Sequence, residues 1–314
     1  MIRNPICATI AAFMEKRVVI TGADGLLGKL CVKHFSSLGG CQVVPLNRQM
    51  MDLEKDSKIR KTLNDCGDFD VIINCAAMTA VDACEDDEKK ADQINGYAVG
   101  MMGDFAAEQG AQVIHISTDY VFDGEKDGPY AEDDEPNPVS VYGSSKLTGE
   151  EELFSAFPDH LVIRVSWLYG PGKPGFPAWV IGQALKNDEV NIVSDKWGSP
   201  TYAPDLVDAL EAFVFWYEPE GGILHFSNSG SCSWQEWAQA CIDEAIKAKL
   251  PIKANKIGEQ KMADLAKIAN WKAKRPVNSA FSTDKYQTLT GNTPREWQDA
   301  LSEYVSEHLA PELK

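Results

Sequence analysis

Residues 21–28 read Thr21-Gly22-Ala23-Asp24-Gly25-Leu26-Leu27-Gly28 and follow directly on the β-branched run Arg17-Val18-Val19-Ile20. A glycine turn that ends a strand and opens a helix has a specific use. Gly22 permits the tight turn, Gly25 lets a pyrophosphate approach the backbone, and Gly28 lets the helix pack closely on the strand. The helix N-terminus then presents N–H groups and positive dipole to phosphates. Gly22, Gly25, Leu26, Leu27 and Gly28 are therefore expected to contact a dinucleotide.

Outward from this turn, short apolar runs alternate with helical stretches. The runs are Gln42-Val43-Val44, Asp70-Val71-Ile72-Ile73, Ala111 to Ile116 and Leu161 to Val165. Helices are expected over Leu26 to Leu38, Glu54 to Cys66, Asn95 to Gln109 and Ser144 to Phe157. Runs this short and apolar are strands buried on both faces. Repeated βα units predict an α/β fold with a doubly wound parallel Rossmann-type sheet. After Trp167 the regularity breaks at the loop Gly170 to Gly175. A strand near Val190 to Val193 and helices over Pro204 to Tyr217 and Ser233 to Lys249 follow. The expected organisation is an N-terminal extension at 1–16, a dinucleotide-binding domain at 17–170, and 171–314 forming most of a smaller α+β substrate-binding cap interleaved with the sheet. Met14 is a candidate alternative start.

The 314 residues carry 30 Lys and Arg against 47 Asp and Glu, a formal charge of −17. So negative a surface repels nucleic acid and anionic lipid, and neither is expected as a partner. No apolar run reaches the ~18 residues that would cross a membrane. The eight cysteines are scattered, with no ligand-like spacing, and suit a reducing cytoplasm. The acid-rich loop Asp123 to Glu135 reads as solvated surface.

The second run ends Pro45-Leu46-Asn47-Arg48. The acid expected where an adenosine ribose keeps its 2′-hydroxyl is missing here. Arg48 could pair with a 2′-phosphate instead, which favours NADPH with NADH still possible; a solvated loop arginine is the other reading. Tyr142 and Lys146 form Y-x-x-x-K, one helical turn apart, so an ammonium lies near a phenol and favours its phenolate. The phenol can then exchange a proton with a carbonyl oxygen. Ser117-Thr118-Asp119-Tyr120 ends the fourth run and delivers a hydroxyl to the carboxyl rim of the sheet, where ligands bind in such folds.

Glycine turn, hydroxyl and Y-x-x-x-K in this order resemble the extended short-chain dehydrogenase/reductases. The finer resemblance is to the dTDP-4-dehydrorhamnose reductase family. It is carried by residues 74–82 (NCAAMTAVD), 117–124 (STDYVFDG), 141–146 (VYGSSK) and 164–170 (RVSWLYG), with echoes at 198–202 and 275–279. The resemblance implies NADPH-dependent reduction of the 4-keto group of a nucleotide-linked 6-deoxyhexose, as in dTDP-L-rhamnose synthesis. It implies Tyr142 as proton donor, Lys146 as its partner and ribose ligand, and Thr118 as the hydroxyl that polarises the carbonyl. Beside the Asn47 and Arg48 contacts expected from the second run, it implies cofactor contacts at Asp52, Leu53, Ala76, Ala77, Thr79 and Asn95, and substrate contacts at Val81, Thr118, Asp119 and Trp167. Trp167 reads equally as core, and Arg275 as a diphosphate clamp or a plain Arg-Pro turn. Some family members form a metal-linked dimer through acids early in the first helix. Leu26-Leu27-Gly28-Lys29-Leu30 has none there, so no metal is expected, and monomer and homodimer both stay open. The rival readings are a regulatory NADP-binding subunit similar to the methionine adenosyltransferase β subunit, and another nucleotide-sugar reductase or epimerase.

Overall fold

The β-branched runs become the strands of one six-stranded sheet in the computed structural model, which describes residues 15–216 and 220–313. They are β1 (Lys16–Thr21), β2 (Cys41–Leu46), β3 (Val71–Asn74), β4 (Gln112–Thr118), β5 (Leu161–Val165) and β6 (Gly222–Phe226), in the order β6-β5-β4-β3-β1-β2. β1 runs parallel to both β2 and β3, and β3 parallel to β4. The chain leaves β1 toward β2 and then returns to β3 on the other side. The direction thus switches at β1/β3, where folds of this kind bind their ligand. β6 was not among the expected strands. It is five residues of Gly-Ile-Leu-His-Phe, too short for its period to stand out.

The described part of the N-terminal extension expected at 1–16 is Glu15 and Lys16, and Lys16 already pairs in β1, one residue before the expected strand start. Met14 and Cys7 lie outside the described residues.

The chain forms two compact units, each discontinuous. The first runs to Ser117 and adds Ser144–Ile163 and Val207–Ile223. Its helices include α1 (Leu26–Ser37), α2 (Asp56–Asp65), α3 (Ala98–Glu108) and most of α4 (Val141–Ala156). Leu27, Gly28, Cys31 and Phe35 of α1 and Ile59 and Leu63 of α2 face inward at helical spacing. One core cluster joins Val19, Ile72 and Val113 to Leu63, Met102, Phe105 and Leu153. The expected helix from Asn95 begins earlier, as a π-helical turn over Gln93–Tyr97. Such turns are frequent at functional sites, and this one carries Asn95. α4 likewise begins at Val141, three residues before Ser144. The Ser140 hydroxyl accepts the Gly143 N–H at 3.2 Å and caps it, so Tyr142 stands in the first turn.

The second unit holds Thr118–Gly143, Arg164–Leu206 and the chain from Leu224 onward. Its core packs α5 (Phe176–Lys186) with α6 (Trp234–Lys247) through Val180, Ile181, Trp237, Cys241 and Ile242, and adds Leu301 and Tyr304. Ser233 and Glu236 close a reciprocal capping box at the start of α6. The acid-rich loop is not wholly solvated. Tyr130 is buried and stacks on Phe122 at 4.1 Å, with its hydroxyl on Asp123 at 2.8 Å. No helix of the described residues is long and apolar enough to cross a membrane.

Candidate active site

Three glycines shape the turn after β1. Gly22 has φ +63°, a left-handed value, and a Cβ there would lie 2.8 Å from the Ala76 nitrogen. A Cβ on Gly28 would meet the Gly22 carbonyl oxygen at 2.2 Å, so α1 rests directly on the turn. Gly25 precedes α1 in extended conformation, and no side chain caps the helix. Such a backbone cradle suits a pyrophosphate. β2 ends at Leu46, and the Asn47 side chain accepts the Gln49 and Met50 N–H groups at 3.1 Å. Arg48 is mostly exposed and pairs with Glu54 at 2.5 Å. Asp52 bonds Lys55 at 3.1 Å, which lowers its pKa, and Leu53 is buried with its carbonyl on the Gln93 amide.

The stretch after β3 is fixed by Asn95, which is fully buried. Its Oδ1 accepts the Met78 N–H at 2.8 Å, and its Nδ2 donates to the Met78 carbonyl at 3.1 Å and to the Ser145 hydroxyl at 3.0 Å. Ala76 and Ala77 are half-buried beside it, Thr79 is exposed, and Val81 opens a short helix, Val81–Asp86.

Lys146 lies on α4, one turn after Tyr142, and is buried. Its Nζ donates to the Ile116 carbonyl at 2.7 Å and meets His115 Nε2 at 2.9 Å. Burial pulls its pKa down to about 7, against the opposing fields of Glu150 and Cys75. Glu150 in turn accepts the Ser117 hydroxyl at 2.5 Å.

In the second unit the Thr118 hydroxyl donates to Asp119 at 3.0 Å and accepts the Tyr120 N–H at 3.3 Å. Asp119 is buried, and burial raises its pKa while Lys196 opposes the rise. The Lys196 ammonium is also buried, donates to the Pro276 carbonyl at 2.6 Å, and stands 5.5 Å from the Tyr120 and Trp234 ring centres. Burial lowers its pKa to about 8. The Tyr142 ring meets Tyr120 edge-to-face at 5.5 Å. Trp167 adopts φ +46°, costly for a bulky residue, and stacks on Trp237 at 5.4 Å over Gly198. The Arg275 guanidinium carbon stands 3.7 Å from the Trp271 ring centre.

Among the site positions, the structure thus gathers Thr118, Asp119, Tyr142 and Trp167 in the second unit. The glycine turn, Asn47 to Leu53, Ala76 to Val81, Asn95 and Lys146 are in the first. Asn74, His115, Glu150 and Lys196 escaped the sequence reading. Asn74 and His115 carried one signal, a polar side chain in or at the end of an apolar run, as with His115 between Ile114 and Ile116; Glu150 and Lys196 sit in polar stretches and carried none. A buried polar group must find a bonding partner.

A sheet opened by a glycine turn, with a phenol and an amine one turn apart on the helix that follows β4, defines a short-chain dehydrogenase/reductase-type chain. The chain belongs to the RmlD substrate binding domain family, whose model matches residues 16–310. It is 37% identical over 295 residues to the spore coat polysaccharide biosynthesis protein SpsK of Bacillus subtilis, covering 93% of this chain and 97% of that one. A dTDP-4-dehydrorhamnose reductase of Clostridium acetobutylicum matches with TM-score 0.84 and 33% identity, over 92% of this chain and 98% of that one. Another, from Bacillus anthracis in complex with NADP, matches with TM-score 0.82 and 29% identity, over 93% and 99%.

Proposed function

We propose that the chain reduces the 4-keto group of a nucleotide-linked 6-deoxyhexose with NADPH, the reaction of a dTDP-4-dehydrorhamnose reductase. The observation that carries the reading is the buried Lys146 amine one turn after Tyr142 on α4, with the Thr118 hydroxyl ending β4. The family and the reductases it resembles support it.

The residues present suit a dinucleotide. The glycine turn leaves a cradle that Cβ atoms at Gly22 and Gly28 would fill, and α1 presents a helix start with no side-chain cap. Leu26 and Leu27 open that helix, and Asn47, Arg48, Asp52 and Leu53 flank the adenosine end. Ala76, Ala77 and Thr79 line the middle, and the buried Asn95 holds that stretch in place through Met78. Bound there, NADPH supplies the hydride for the carbonyl carbon.

The chain's own work is to place the carbonyl oxygen and give it a proton. Thr118 donates a hydrogen bond to that oxygen as negative charge develops on it. Tyr142 then donates its phenolic proton, and a charged Lys146 favours the phenolate left behind. Val81, Asp119 and Trp167 hold the sugar nucleotide. The reading brings a cytoplasmic setting with it.

Purified protein given NADPH and dTDP-4-keto-6-deoxy-L-lyxo-hexose should consume NADPH. Tyr142→Phe should lose about 10²- to 10⁴-fold in kcat while still binding NADPH. NADPH binding without turnover on any nucleotide sugar would move the chain to the regulatory reading.

A further inference from the structure

Thr21, Asn74 and His115 occupy matching positions on three neighbouring strands, with Thr21 opposite Asn74 and Asn74 opposite His115. All three are buried. Their hydrogen bonds leave little choice of direction. The Ala76 N–H lies 3.2 Å from Asn74 Oδ1 and 3.3 Å from the Thr21 hydroxyl oxygen and, being backbone, can only donate. The Thr21 hydroxyl donates to the same oxygen at 2.5 Å. Turning the amide round would set an NH₂ group against the Ala76 N–H. Asn74 Nδ2 therefore points at His115 Nδ1, 2.8 Å away, and donates to it.

Burial keeps the His115 imidazole uncharged, so it carries one N–H. With Nδ1 accepting, that N–H is on Nε2. Nε2 faces Lys146 Nζ at 2.9 Å. An ammonium there would place two hydrogens in one gap, whereas a free amine accepts the bond through its lone pair and still donates to the Ile116 carbonyl.

We infer that Asn74 and His115 are positioning residues that aim an imidazole N–H at the Lys146 amine and hold it uncharged in the resting protein. The proton that Lys146 needs to favour the Tyr142 phenolate arrives from solvent against this bond. Asn74 and His115 thereby set the pH at which the amine charges. The other groups facing Lys146 are Glu150 on its own helix and Cys75 just after β3, both of which favour the charged form; Tyr142 precedes it by one turn of the same helix. Burial of the amine acts in the same direction as the imidazole. The catalytic role of Lys146 rests on the reductase reading, but its resting charge does not.

The test titrates the ¹³Cε resonance of Lys146 in lysine-labelled protein without substrate, assigned by its absence from Lys146→Met. Asn74→Asp is isosteric and accepts from Nδ1–H, which turns Nε2 into an acceptor. His115→Gln offers Lys146 a carbonyl and adds no charge. The wild-type midpoint should lie well below the ~10.4 of a free lysine, and both variants should raise it by at least one pH unit. A rise from about 7 to about 8 makes the charged share at pH 8 about fivefold larger. The high-pH limb of kcat/KM should move with it. An ordinary wild-type midpoint overturns the inference. So does a shift in Asn74→Asp alone, since added charge would explain it, and so do unchanged midpoints in variants that melt like wild type. If no nucleotide sugar is turned over, the reductase reading fails while the titration still decides this inference.

Discussion

The one proton of the Thr118 hydroxyl is committed to the Asp119 carboxylate at 3.0 Å, while its oxygen accepts the Tyr120 N–H. A hydroxyl so placed can bond a substrate carbonyl only by turning away from Asp119. Burial raises the Asp119 pKa, so the protonated acid, a weaker acceptor than the carboxylate, is more easily reached there than on an exposed aspartate. Thr118→Val, which keeps the shape and removes the donor, should lower kcat by about 10² or more. Thr118→Ser keeps the hydroxyl and should stay within about tenfold of wild type. Steady-state rates on the two variants check this, and a Thr118→Val enzyme with wild-type kcat would remove Thr118 from the chemistry.

Arg48 decides between the two nicotinamide cofactors if it leaves Glu54 for a 2′-phosphate. A charge-assisted bond of that kind is worth about 1.5–3 kcal/mol. Arg48→Ala should therefore weaken NADPH binding at least about tenfold and leave NADH unchanged. Fluorescence titration with both cofactors reads the difference, and equal losses would mean Arg48 does not reach the phosphate.

Gly28→Ala forces a methyl group to 2.2 Å from a backbone oxygen that has no room to yield. The cost should be about 1–3 kcal/mol of stability, with weaker NADPH binding because the turn itself must move. Gly39→Ala meets nothing within 4 Å and should be neutral. Melting curves with and without NADPH compare the two.

His225 packs on Phe281 at 4.2 Å, with Nδ1 3.1 Å from the Tyr130 carbonyl. Burial first, then the nearby Arg164, take its pKa down to about 3. The unfolded imidazole titrates near ~6.5. Between those values the unfolded chain binds the extra proton, so stability is present above pH ~6.5 and is lost as pH falls toward 3, at up to about 1.4 kcal/mol per pH unit. His225→Phe should flatten the fall of Tm between pH 6 and 4. The buried His115 and His160, lowered in the same sense, keep part of that slope.

The glycine turn, the four apolar runs after it and the spacing of Tyr142 and Lys146 follow from local rules: a φ only glycine tolerates, a strand buried on both faces, one turn of helix. A linear chain displays such rules, and the sequence determined them here. The start of α4 escaped because it depends on a single cap, Ser140, whose hydroxyl could equally have served a turn. β6 escaped because five residues carry too little pattern. Only the tertiary structure decided what surrounds Lys146. Asn74 is 41 residues from His115, and His115 is 31 from Lys146. Lys196 bonds a carbonyl 80 residues away. Strand register and burial bring Asn74, His115 and Lys146 together, and removal of water lowers the pKa of His115 and of Lys146.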